Sequence, residues 1–142
     1  MMTTQILAPA AVLVLWTFVM LAWMAATRLP ALKTARVNMN APGGRRGHDL
    51  EGVLPDSVNW KAHNYAHLHE QPTLFYAVVA ILAIAGAASE LDVMLAWAYV
   101  ALRAIHSVVQ ATTNNVSLRF PIFLLASLPL LWLAIRALLA TI

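Results

Sequence analysis

The chain has 142 residues, of which 61% are hydrophobic and only 11% charged, and its mean hydropathy is +0.73. A water-facing globule carries about a quarter charged residues, so too little polar surface remains here for a soluble fold. Cysteine is absent, which excludes disulfides and thiolate metal sites. The formal net charge of +3 comes with no basic run and no nucleic-acid motif, so the expected partner is the lipid bilayer and not nucleic acid.

The first apolar segment runs from Ile6 to Met24 and on to Ala26, stopping at Arg28 and Pro30. It has no charged leader and is longer than the ~7–15-residue core of a secretory signal, so a retained helix over about 5–27 is expected. The composition then changes. Arg28, Lys33, Arg36, Arg45 and Arg46 mix with Gly43, Gly44, Gly47 and Gly52 and with Pro30, Pro42 and Pro55, which predicts a partly ordered loop over about 28–56. The glycine-rich stretch from Asn40 to Gly47 lacks the Lys-Ser/Thr ending of a phosphate loop and reads as a flexible connection.

A second helix over about 57–89 would start at Asp56 or Ser57, either of which can cap it. Its charge-free part, Thr73–Ala88, covers only about 24 Å at ~1.5 Å per residue, short of a ~30 Å hydrocarbon core. Residues before Thr73, Glu70 among them, are therefore needed at membrane depth, and Pro72 is expected to kink the helix. Glu90 and Asp92 mark a very short turn, and a third helix over about 91–112 carries Arg103 near its middle. Asn114, Asn115 and Ser117 read as the next turn, before a fourth helix over about 120–141 that carries Arg136 near its far end.

The fold class expected is all-α integral membrane: a four-transmembrane-helix bundle, one domain over residues 1–142. Basic residues concentrate in the first loop, with Arg119 in the third, while the second loop is acidic. That asymmetry puts both termini outside the cytoplasm, as in a multi-pass protein of a bacterial inner membrane; Arg136 argues weakly against it.

Charged groups at membrane depth cost several kcal/mol and turn towards a bundle interior or a wet cavity. On the second helix Asn59, His63, His67 and Glu70 recur at helical spacing and share a face; on the third, Tyr99, Arg103, His106, Gln110 and Asn114 do the same. Together they predict a polar, partly basic cavity in the cytoplasmic half of the membrane. A plainer reading pairs Arg103 with Glu70 as interhelical glue, supported by His106 and Gln110. Another reads His63, His67, Glu70 and His106 as a metal site, but no HExxH or second ligand cluster accompanies them, so no metal ligand is assigned. His69 falls off the stripe and is read as interfacial, and His48 carries no signal. Trp16, Trp23, Trp97 and Trp132 are read as packing or interface anchors.

At these residues the sequence resembles the MAPEG family (membrane-associated proteins in eicosanoid and glutathione metabolism). The segment His67-Leu-His-Glu70-Gln-Pro-Thr-Leu-Phe75 resembles the family's second helix, and Arg103-Ala-Ile-His106 is similar to the Arg-x-x-His of its prostaglandin E synthase and glutathione transferase branch. The spacings from Glu70 to Arg103 to Arg119 fit that branch without gaps, and the likeness covers about residues 56–136. The resemblance implies a homotrimer with sites between subunits and glutathione as the thiol donor. By the same likeness Arg119 would be the catalytic residue that stabilises the thiolate. Glu70 would face the peptide's amino group, while Arg103, His106, His67, His63, Gln110 and Asn114 would complete the binding site.

The chain departs from the family where His63 replaces an arginine, His67 an asparagine, and Gln110 and Phe123 tyrosines. The implied activity is a glutathione- or thiol-dependent transferase or peroxidase acting on a lipophilic electrophile. The alternatives are a non-catalytic scaffold or lipid-binding subunit, and a metal-binding membrane protein.

Overall fold

A computed structural model describes residues 2–40, 42 and 46–142. Gly43, Gly44 and Arg45, assigned above to the connecting loop, lie outside the described residues, as do Met1 and Ala41. The described chain is helical: α1 (Met2–Gln5), α2 (Leu7–Thr34), α3 (Asp56–His67), α4 (Gln71–Ile84), α5 (Glu90–Thr112) and α6 (Val116–Leu139), with a 3-10 turn at Gly47–Leu50. Three of these, α2, α5 and α6, are long and apolar enough to cross a membrane.

α2 continues past the expected end near Ala26, carrying Pro30 inside it. It stops where Arg36 takes a positive φ of 51° and the chain folds back. The Arg36 N–H then donates to Lys33 O and the Val37 N–H to Leu32 O, pairing two of the carbonyls that a helix end leaves open. Pro9, Leu13 and Met20 face inward at helical spacing, whereas Leu15, Phe18 and Val19 face out, as suits a helix with one side in lipid.

The second apolar stretch is not one kinked helix. α3 ends at His67 and α4 begins at Gln71, with Leu68, His69 and Glu70 forming a break between them. Pro72 sits in the first turn of α4, where the N–H it lacks has no helical partner anyway, so the chain restarts a helix and does not bend one. α4 alone has 14 residues, or roughly 21 Å at ~1.5 Å each, so any crossing must include the polar α3. Neither Asp56 nor Ser57 caps α3: Pro55 takes the N-cap position, and Asp56 opens the helix, where a negative charge favours the dipole.

The connecting loop is tied back at several points. The Asn59 amide donates to Leu50 O (3.2 Å) and Leu54 O (3.3 Å), and Arg28 Nη2 donates to Gly47 O at 2.9 Å. Lys61 Nζ donates to Ala111 O at 3.1 Å and lies 5.3 Å from the Trp23 ring centroid, joining α3 to α5 and α2.

α5 and α6 form an antiparallel pair, and α5 also contacts α2 and α3, which makes it central. Its boundaries fall within a residue of expectation, but Glu90 and Asp92 lie in its first turn and not in the preceding connection. Small residues are buried along both helices, Ala96 and Ala111 in α5 and Ala126 and Ala137 in α6, and small side chains let helices approach closely. Between lipid-embedded helices, such close approach supplies the packing that water-driven burial cannot. α6 starts earlier than expected, with Asn115 as its N-cap accepting from the Leu118 N–H, so Ser117 and Arg119 belong to the helix.

At the α5 amino terminus Asp92 is fully buried. It accepts from the Ser89 N–H and hydroxyl (2.9 and 2.8 Å), from Trp132 Nε1 (3.1 Å) and from Arg136 Nη2 (3.2 Å). Arg136, read from sequence only as a topology signal, is thus the partner of a buried carboxylate, and Trp132 is more than an interface anchor.

Candidate functional site

Three elements build one groove. α3 and the break contribute His63, Ala66, His67 and Glu70; α5 contributes His106 and Gln110; α6 contributes Val116, Arg119, Phe120 and Phe123. Its volume is about 460 Å³, inside the ~300–1,000 Å³ range of small-molecule sites. The i, i+4, i+7 spacing of His63, His67 and Glu70 carries all three to the same wall, as the sequence stripe anticipates.

The charges are arranged differently from the expected Arg103–Glu70 pair. Glu70 accepts instead from His67 Nδ1 at 2.5 Å, and its side chain is 65% exposed. With Nδ1 committed as the donor, the neutral His67 ring keeps the Nε2 lone pair as an acceptor. His63 Nε2 donates to Glu51 at 3.0 Å, so one rim of the groove is held by the connecting loop. Arg119, half-buried, lines the groove with no hydrogen bond or ion pair to any described residue. It is therefore the available cation.

Arg103 does not line the groove. It is almost wholly buried, and its Nη2 donates to His67 O at 3.2 Å, so it caps the last turn of α3 at the negative end of that helix. Its guanidinium carbon lies 5.8 Å from the Phe123 ring centroid. Arg103 Nε and Nη1, His106 Nδ1 and Gln110 Oε1 are buried without a hydrogen-bond partner among the described residues. Unpaired donors on a buried cation are costly, so these atoms mark where a further polar group would be accepted.

Besides Arg103, three stripe residues fall outside the groove: Asn59, Tyr99 and Asn114. Asn59 closes the connecting loop, and Asn114 takes a positive φ of 49° just after α5, donating its N–H to Val109 O at 2.8 Å. Asn tolerates that left-handed conformation better than most residues, which gives it a helix-ending role. Among the described residues no group of three or more His, Asp or Glu side chains converges to hold a metal ion.

Other polar partners were not legible as a face. Asn64 Nδ2 donates to Ser107 Oγ at 2.6 Å, joining α3 to α5. Gln71 Nε2 donates to Ser127 Oγ at 2.8 Å and Gln71 Oε1 accepts from the Tyr99 hydroxyl at 3.4 Å, joining α4 to α6 and α5. The usable signal was chemical and not periodic: a polar side chain inside an apolar run must find a partner, and each of these does.

Helices of spanning length, arranged around a polar groove with a free guanidinium, define a polytopic membrane protein with a built polar site. The sequence matches the MAPEG family over residues 6–139, and the chain belongs to that family. No curated protein and no solved structure matches it.

Proposed function

We propose that the protein is a glutathione- or thiol-dependent membrane transferase or peroxidase acting on a lipophilic electrophile, nearest in kind to the prostaglandin E synthase and glutathione transferase branch of its family. The observation that carries this reading is the unpaired Arg119 guanidinium in a groove it shares with His67, Glu70, His106 and Gln110.

The donor set fits the peptide. Glutathione has two carboxylates, one ammonium group and one thiol. The exposed Glu70 carboxylate suits the ammonium, and the Arg119 guanidinium suits the anionic groups. A free thiol ionises near pH ~8.5, and an adjacent fixed cation lowers that value, so Arg119 would hold the sulfur as thiolate. His67, its Nδ1–H engaged by Glu70, leaves Nε2 to take up the thiol proton.

Both termini lie outside the cytoplasm in this proposal, which leaves the basic first connection and Arg119 inside a bacterial inner membrane. A homotrimer is part of the same reading, with the site lying between subunits.

A non-catalytic lipid-binding subunit is the second reading, favoured by one observation: no residue lining the groove bears a hydroxyl. Thiolate stabilisation would then rest on Arg119 alone. Calorimetric titration of the detergent-solubilised protein with glutathione separates the two. Saturable binding weakened at least tenfold by Arg119→Ala supports the enzyme, and no binding at millimolar ligand favours the subunit.

A further inference from the structure

A second cleft lies on the opposite side of the α3–α4 break, against α2. Its volume is about 170 Å³, and Thr17, Phe18, Tyr65, Leu68, His69 and Tyr76 are among the residues that line it. Thr17 and Phe18 lie in the middle of the apolar run of α2, which puts the cleft at hydrocarbon depth. His69, read from the sequence as interfacial, is one of the residues that line it.

The polar atoms of the cleft are mostly spoken for. The Thr17 hydroxyl donates to Leu13 O at 3.0 Å and the Thr73 hydroxyl to Glu70 O at 2.6 Å. His69 Nδ1 donates to Tyr65 O at 2.8 Å, and since a carbonyl can only accept, the proton must sit on Nδ1. The neutral ring then offers an Nε2 lone pair, and neither that atom nor the Tyr65 hydroxyl has a partner among the described residues. The two rings are held together edge to face, with centroids 4.6 Å apart.

We propose that this cleft binds the head of a lipophile bearing a single un-ionised phenol-type hydroxyl, with its tail leaving into the bilayer past Phe18. Size points to one six-membered ring, because a cavity of ~150 Å³ accommodates benzene. The aromatic side chains Phe18, Tyr65 and Tyr76 supply faces and edges for such a ring, which pairs with them in offset or edge-to-face geometry. A hydroxyl donor is required by His69 Nε2, which a plain acyl chain would leave unpaired at membrane depth. No carboxylate, ammonium or guanidinium lines the cleft, so an ionised head would be desolvated without a counter-charge.

The test uses the full chain in phosphatidylcholine nanodiscs, labelled with 15N in the histidine rings. 4-Octylphenol is the probe, and 4-octylanisole, its methyl ether with no donor, is the control at matched bilayer concentration. The phenol should move one Nε2 resonance saturably, the one missing from His69→Gln, and the anisole should compete about tenfold more weakly, the worth of one hydrogen bond. Phe18→Ala removes an exposed side chain and so leaves the fold intact; it should weaken the phenol several-fold. Equal competition by the two probes, or no saturable shift at the His69 signal, would overturn the proposal. The cleft would then be filled by acyl chains or by a second copy of the chain.

Discussion

Asp92→Ala should cost about 3 kcal/mol of stability. The carboxylate is fully buried and takes up both Ser89 donors, the Trp132 indole N–H and the Arg136 guanidinium. Removing one partner of a buried ion pair typically costs about 3–5 kcal/mol, because the other charge is stranded. Arg136 is not stranded completely. Its side chain is 32% exposed, and its Nη2 keeps a bond to Ala87 O at 3.0 Å, which brings the cost to the lower end of that range. Loss of the capping interaction at the start of α5 and of the indole partner acts in the same direction. The assay is equilibrium unfolding in mixed micelles of increasing SDS fraction, followed by tryptophan fluorescence. A cycle with Arg136→Ala should show the double variant less destabilised than the sum of the singles by at least ~1 kcal/mol. Asp92→Ala within about 0.5 kcal/mol of the parent, or strict additivity in the cycle, would refute the reasoning.

Three further outcomes are expected. Asn64→Ala should cost about 1–2 kcal/mol by leaving the buried Ser107 hydroxyl without its 2.6 Å partner, and adding Ser107→Ala should cost little more; the same SDS titration measures both. Arg36→Gly should stabilise by up to about 1 kcal/mol, since Arg36 holds a φ of 51° at the end of α2, while Gly86→Ala, with φ 64° at the end of α4, should destabilise by a similar amount; opposite signs in the two unfolding curves check the pair. Glu70→Gln should weaken glutathione about tenfold by calorimetry while retaining the parent's helical circular dichroism, because the carboxylate is solvent-exposed and its loss removes charge without opening a cavity.

Much of the candidate site was legible because a helix converts spacing into a face. His63, His67 and Glu70 on one segment and His106 and Gln110 on another do meet, with Arg119 beside them. The same logic failed at the ends of elements. Asn59 and Asn114 keep the helical interval, yet one is drawn to the connecting loop and the other lies where the helix has already stopped. Periodicity also could not say which partner each charge takes. Arg103 and Glu70 share helical faces that meet, but the break after His67 frees a carbonyl for the arginine and lets Glu70 turn back to His67.

Composition alone settled that this chain belongs in a membrane, because apolar residues in excess leave no surface that water can wet. Four apolar stretches and the inward turn of Arg103 and His106 followed from the same energetics, which act on each segment independently of the rest. Tertiary structure decided what depends on two segments at once: the split of the second stretch into α3 and α4, the burial of Asp92 with Arg136, and the separation of His67 and His69 into two cavities on opposite sides of the break. Hydrogen bonds and packing between helices are short-ranged, and which groups come within reach is fixed only when the helices have docked.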